Sequence, residues 1–131
     1  MIKISSTIKS ERYKIEIKSA TGNIIIADEP IEKGGKDSGF SPKELLASAL
    51  AACTSASLKI FADRKGWELK EIKINIDLNP IDNGNKTVIN RKIILLGNLD
   101  DSQRRQLLAV ANACPVHKIL SNPIEINTDI E

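Results

Sequence analysis

With 131 residues, 41% of them apolar and 27% charged, the chain has the size and make-up of one folded domain with a hydrophobic core, expected to span residues 1–131. A net charge of only +2, with basic and acidic residues interspersed, argues against a nucleic-acid partner, and an aromatic content of 3% leaves few faces on which bases could stack. No secretory leader is readable in MIKISSTIKS, and the longest small-apolar run, Leu45 to Cys53, reaches about half of the ~20 residues a bilayer requires. The expectation is a cytoplasmic protein with no membrane partner, whose two cysteines are reduced thiols.

The first third reads as strands. Ile2 and Ile4, then Tyr13, Ile15 and Ile17, alternate with polar residues, and Ile24 to Ile26 form a short apolar run. The stretch DEPIEKGGKDSGF carries Pro30, Gly34, Gly35 and Gly39 and must be a loop. Its glycines lack the spacing of a phosphate-cradling or dinucleotide-binding motif. Ser41-Pro42-Lys43-Glu44 is then a capping box with proline at the first helical position, opening a helix to about Lys65 that stops at Gly66. Helical spacing puts Leu46, Ala49, Leu50, Cys53, Ala56, Ser57 and Ile60 on one side, and Leu45, Ala47 and Ala52 widen it, so this helix is expected to be central and mostly buried.

Beyond Trp67, the residues Ile72, Ile74, Ile76 and Leu78 alternate as a strand, Asp82 to Asn85 reads as a hairpin turn, and Lys86 to Leu96 returns. Asp100 or Asp101 caps a second helix carrying Leu107, Leu108, Val110 and Ala111; Cys114-Pro115 breaks it, and PVHKIL can begin a further helical turn. Ile124, Ile126, Thr128 and Ile130 alternate as a last strand. The order βββ-α-ββ-α-β, with strands grouped in hairpins, predicts an α+β fold with mainly antiparallel sheet.

The chemistry-bearing residues are few. Cys53 sits in ALAACTSASL, where it serves either as a small hydrophobe or as a thiol facing a pocket. No cation lies within one helical turn of it, so an activating charge must come from another segment or another subunit. Cys114, before Pro115, is placed to cap a helix, where unpaired N–H groups and the helix dipole favour a thiolate. His117, the sole histidine, follows three residues later. A Cys–His nucleophilic pair is chemically possible there, whereas a zinc site would need three or four ligands and only Cys53 and scattered carboxylates remain, so no metal is expected. Without a C-x-x-C motif, a thioredoxin-type site is excluded. Glu44 is accounted for by its capping box; a supporting role at a thiol site would be additional.

At GFSPKELLASALAACT, joined to ACPVH, the sequence resembles the OsmC/Ohr family of small thiol proteins, with DEP and GG upstream and ADRKGW after the helix. The resemblance implies an OsmC-like fold in which curved antiparallel sheets wrap central helices in an intertwined homodimer. It also implies reduction of organic hydroperoxides without a bound cofactor. Cys53 would then be the peroxidatic thiolate and Cys114 the resolving thiol, with an intramolecular disulfide between them. An external thiol or a lipoyl-type reductant would restore the pair. Small neighbours at Ala49, Ala52 and Ala56 would leave room for a bulky peroxide. The chain departs from the peroxidase branches in two places. Lys43 stands where those carry a glutamate, with the acid displaced to Glu44, and CPVH replaces a Cys-Pro followed by an aromatic and a small residue. The arginine that pairs with that glutamate is also missing, because the loop before Ser41 offers only Lys33 and Lys36, and Arg12 is the only arginine in the N-terminal third. This places the chain nearest the less-characterised OsmC-like branch. Two other readings stand beside the peroxidase: a dimeric protein that binds a small hydrophobic ligand or senses redox state, and a thiol hydrolase or transferase using His117.

Overall fold

The computed structural model describes residues 1–131, which pack as two compact bodies, Met1–Leu46 and Ala47–Glu131. In the first, β1 (Ile4–Ile8), β2 (Ile15–Ser19) and β3 (Ile24–Ala27) form an antiparallel sheet in chain order. Ile8 pairs with Ile15 and Ile17 with Ile25, so period-2 alternation gathers the isoleucines on shared faces.

The loop after β3 is organised by one buried carboxylate. Asp28, 1% exposed, accepts from the amides of Tyr13 and Glu29 at Oδ1, and from the amides of Lys36 and Ser38 and the Ser38 hydroxyl at Oδ2. These donors hold its carboxyl far below the ordinary carboxylate range, the Ser38 hydroxyl most strongly, against the opposing effect of burial.

Helix α1 (Pro42–Lys65) begins where the capping box requires: Ser41 N–H donates to Glu44 Oε1 at 2.9 Å and Glu44 N–H to Ser41 Oγ at 3.3 Å. It ends in a Schellman motif, with Gly66 at φ +70° donating to Asp63 and Trp67 to Ala62. At 24 residues, α1 is long and apolar enough to cross a membrane by length and composition alone. Its buried ridge instead builds a protein core: Leu58 and Ala62 pack with Leu69, Leu107 and Ala111, flanked by Ile93 and Leu95.

The expectation of a mostly buried helix is corrected here. Only Leu50, Thr54, Leu58 and Ala62 are buried, at successive i, i+4 positions, while Ala49, Ala52, Ala56, Leu46 and Ile60 are open. A single chain supplies a layer for one side of α1 only.

That layer is the long hairpin of β4 (Glu68–Ile81) and β5 (Lys86–Asn98), together with α2 (Asp101–Asn112). Across the hairpin Ile72 faces Leu95, Ile74 faces Ile93, Ile76 faces Arg91 and Leu78 faces Ile89. Gly97 accommodates a bulge at Leu69/Glu71, where a Cβ would overlap the Glu68 carbonyl. Asp100 caps α2 in a reciprocal box with Gln103. Helix α3 (Pro115–Ser121) follows with Cys114 as its N-cap.

The α+β class with antiparallel sheets is as expected, but the last strand is not formed. Residues 122–131 hold no regular structure, and Ile124, Ile126 and Ile130 are exposed. Their alternation marks a segment able to pair, yet an isolated strand has no partner for its backbone groups and does not persist.

Candidate functional site

The two cysteines, some sixty positions apart, meet within the second body. Cys53 lies on α1 and is half-buried; Cys114, at the start of α3, is 1% exposed; both are free thiols. The Cys53 thiol lies near enough to the Cys114 sulfur to help lower its pKa. As expected of an N-cap, Cys114 Sγ accepts from the backbone N–H of His117 at 3.4 Å.

Thr54 ties the two helices together. It is fully buried, its hydroxyl donates to the Leu50 carbonyl at 2.6 Å, and its oxygen lies 3.9 Å from Cys114 Sγ. Into the same oxygen comes Arg91 from β5, donating through Nη1 at 2.9 Å. The other guanidinium nitrogen of Arg91 donates to Asn112 Oδ1 at 3.2 Å and to His117 Nδ1 at 3.0 Å. One arginine therefore contacts all three helices of the chain.

Arg91 is a charge supplied from another segment: α1 has no cation within one turn of Cys53, and the loop before Ser41 has no arginine. Its sign in the sequence is an arginine at an inward slot of β5, between Ile89 and Ile93 and opposite Ile76. A charge in an apolar row of a strand calls for polar partners, and here they are Thr54, Asn112 and His117. Thr54 leaves no such sign, because a threonine inside a helix reads as filler.

Together these groups favour the anionic form of Cys114. Burial alone would raise its pKa; the His117 N–H, the Thr54 hydroxyl, the Cys53 thiol and the Arg91 charge outweigh it and bring the value below that of an ordinary thiol. The His117 ring bonds to Arg91 and to neither sulfur. Glu44 accepts from the Ser41 N–H at the start of α1, and the Ser41 amide and hydroxyl lower its carboxyl pKa. No three His, Cys, Asp or Glu side chains gather as metal ligands.

A cavity of about 450 Å³ adjoins this cluster. Leu50, Ile89, Ile93 and Leu120 give it apolar walls, and Arg91 and His117 line it too. Ala49, Ala52 and Ala56, the residues expected to make room for a ligand, do not line it; the space comes from the hairpin and the helices facing it.

Residues 35–129 match the family described as OsmC-like protein. The chain belongs to that family. An uncharacterized protein of Acinetobacter baylyi is 25% identical over 104 residues, covering 77% of this chain and 73% of the relative. Among solved structures, the fold is similar to an osmotic stress induced and detoxification response protein of Psychrobacter arcticus, with a TM-score of 0.79 and 24% identity over 91% of this chain and 88% of that one. The organic hydroperoxide resistance protein OhrB of Bacillus subtilis aligns with a TM-score of 0.62 and 21% identity, over 92% of this chain and 90% of that one. At these identities the two structures establish the OsmC-like fold.

Proposed function

We propose that this OsmC-like protein is a cysteine-dependent peroxidase that reduces organic hydroperoxides. The observation that carries the reading is the adjacency of two free thiols of unequal exposure beside a cationic, hydrogen-bonding cluster, whose Arg91 and His117 also line a cavity with aliphatic walls. Membership in a family that includes hydroperoxide resistance proteins among its structural neighbours supports it.

Cys53 is the peroxidatic residue, because the half-buried sulfur can be reached while the 1%-exposed Cys114 cannot. Its thiolate attacks the distal oxygen of the hydroperoxide, the O–O bond breaks, and the alkoxide takes a proton to leave as an alcohol. Cys53 becomes a sulfenic acid. The Cys114 thiolate then attacks that sulfur, hydroxide leaves and takes a proton as water, and the disulfide forms. A site that lowers the pKa of Cys114 below that of an ordinary thiol suits this second step. Two electrons from an external thiol or a lipoyl-type dithiol restore both thiols.

Arg91 fills the role of the arginine absent from the N-terminal third. His117 positions Arg91 and contributes its backbone N–H to Cys114, which fits a supporting role better than that of a nucleophile's base. The protein acts in the cytoplasm as a single-domain homodimer. The open side of α1 and the unpaired isoleucines of residues 122–131 are apolar surfaces that a second copy would cover.

Intact-mass analysis after one equivalent of cumene hydroperoxide tests the chemistry. A species lighter by two hydrogens in the wild type, and a sulfenic acid trapped by dimedone on Cys53 in Cys114→Ser, are expected. Oxygen adducts on Cys114 in preference to Cys53 would reverse the assigned roles.

A further inference from the structure

Arg91 holds a positive charge at the cavity wall with only neutral partners: a hydroxyl, an amide oxygen and an imidazole nitrogen. It takes part in none of the chain's salt bridges, and no aspartate or glutamate lines the cavity. Its three hydrogen bonds use three of the five guanidinium N–H groups, so two donors remain. Because an arginine can only donate, His117 Nδ1 must accept, which puts the ring proton of the neutral imidazole on Nε2. With Asn112 Oδ1 also accepting, its amide nitrogen is a further donor. The polar wall of the cavity is therefore rich in donors and positive, and no anionic acceptor lines it. Thr87 and Ser121 add hydroxyls, and the rest of the lining, Leu50, Ile89, Ile93, Leu108 and Leu120, is aliphatic.

We propose that this cavity binds an amphiphilic monocarboxylate, the carboxylate on Arg91 and His117 Nε2 and the chain against Leu50, Ile89 and Leu120. Guanidinium and carboxylate match in charge and geometry, and a carboxylate supplies the negative charge that the wall lacks. About 450 Å³ falls in the range of small-molecule sites, roughly 300–1,000 Å³. The proposal concerns a binding equilibrium and goes beyond peroxide reduction. It holds whether or not the thiols turn over.

His117 is the sole histidine, so its imidazole resonances report the site without ambiguity. Reduced, isotope-labelled protein is titrated with octanoate, with 1-octanol as the neutral isostere, and with acetate as the head without the chain. Octanoate is expected to shift the His117 signals and to bind at least about tenfold more tightly than either control. In Arg91→Met the preference of octanoate over octanol should vanish while octanol binding persists. Equal binding of octanoate and octanol by the wild type overturns the proposal, as does a preference that survives Arg91→Met. The wild-type comparison decides alone if that variant does not fold. Cumene hydroperoxide consumption, measured separately on the same sample, tests the peroxidase reading independently because cumene hydroperoxide carries no carboxylate.

Discussion

Arg91 donates to Nδ1 of His117 across 3.0 Å, and this contact fixes both the tautomer of the only histidine and the direction of the guanidinium. The same arginine reaches Thr54, whose neighbour in sequence is Cys53 and whose hydroxyl lies beside Cys114. A strand residue thus sets the charge at a site whose thiols come from two helices.

Replacing Arg91 by methionine should raise the pKa of Cys114. The substitution removes a favourable charge and loosens Thr54, while burial continues to oppose the anion. Thiolate absorbance is followed against pH in a Cys53→Ser background, where one thiol remains. Adding Arg91→Met to that background is expected to move the titration to higher pH. An unmoved curve would remove Arg91 from the electrostatics of the site.

His117→Ala should be mild. The ring touches neither sulfur, and the backbone N–H that caps Cys114 survives the change. One hydrogen bond from the charged guanidinium is lost, about 1.5–3 kcal/mol of stability, but it reaches neither sulfur, so the rate of peroxide-driven thiol loss should fall no more than roughly tenfold. A thiol hydrolase that uses His117 as its base would lose activity far more severely, which separates the two chemistries.

How much of this is legible in the sequence follows from the kind of signal each feature leaves. The capping box at Ser41, the stop at Gly66 and the Cys114 cap are local hydrogen-bond codes and form as expected; of the two caps offered for α2, Asp100 is the one used, and it adds a reciprocal bond with Gln103. The buried ridge of α1 differs from expectation because nearly every position in its first half is small or apolar, so periodicity cannot choose a face. Tertiary packing against β5 and α2 selects Leu50, Thr54, Leu58 and Ala62. The last strand is absent for a similar reason: alternation at Ile124 to Ile130 announces a strand but cannot say where its partner lies. Arg91 is legible only as a misplaced charge, because its meaning depends on register across β4 and β5 and on helices from distant parts of the chain.

Leu58 is fully buried at the centre of the core that orients α1. Leu58→Ala should cost about 2–5 kcal/mol of stability through lost burial and the cavity left behind. Urea unfolding followed by the Trp67 signal measures it, and a change in midpoint without a change in slope is expected.

Asp28 gives a pH dependence confined to the first body. A carboxyl with a depressed folded-state pKa contributes stability that is present above the unfolded value, about 4, and is lost as pH falls from there through the folded value. In Asp28→Asn at neutral pH one carboxylate oxygen is replaced by a donor, so the Lys36 and Ser38 amides lose their acceptor. Their hydrogen exchange should accelerate while that of Glu29, held by the other oxygen, changes little. Uniform acceleration across residues 1–46 would mean that Asp28 supports the whole body and not the loop alone.

The central claim, that Cys53 reduces the peroxide and Cys114 resolves it, is met most directly by single-turnover loss of free thiols. Reduced protein is mixed with one equivalent of cumene hydroperoxide or of hydrogen peroxide, alongside Cys53→Ser and Cys114→Ser. Rapid loss of both thiols, faster with the organic peroxide and abolished by Cys53→Ser, is the predicted result. Slow oxidation with no preference between the peroxides, unaffected by Cys53→Ser, would contradict it.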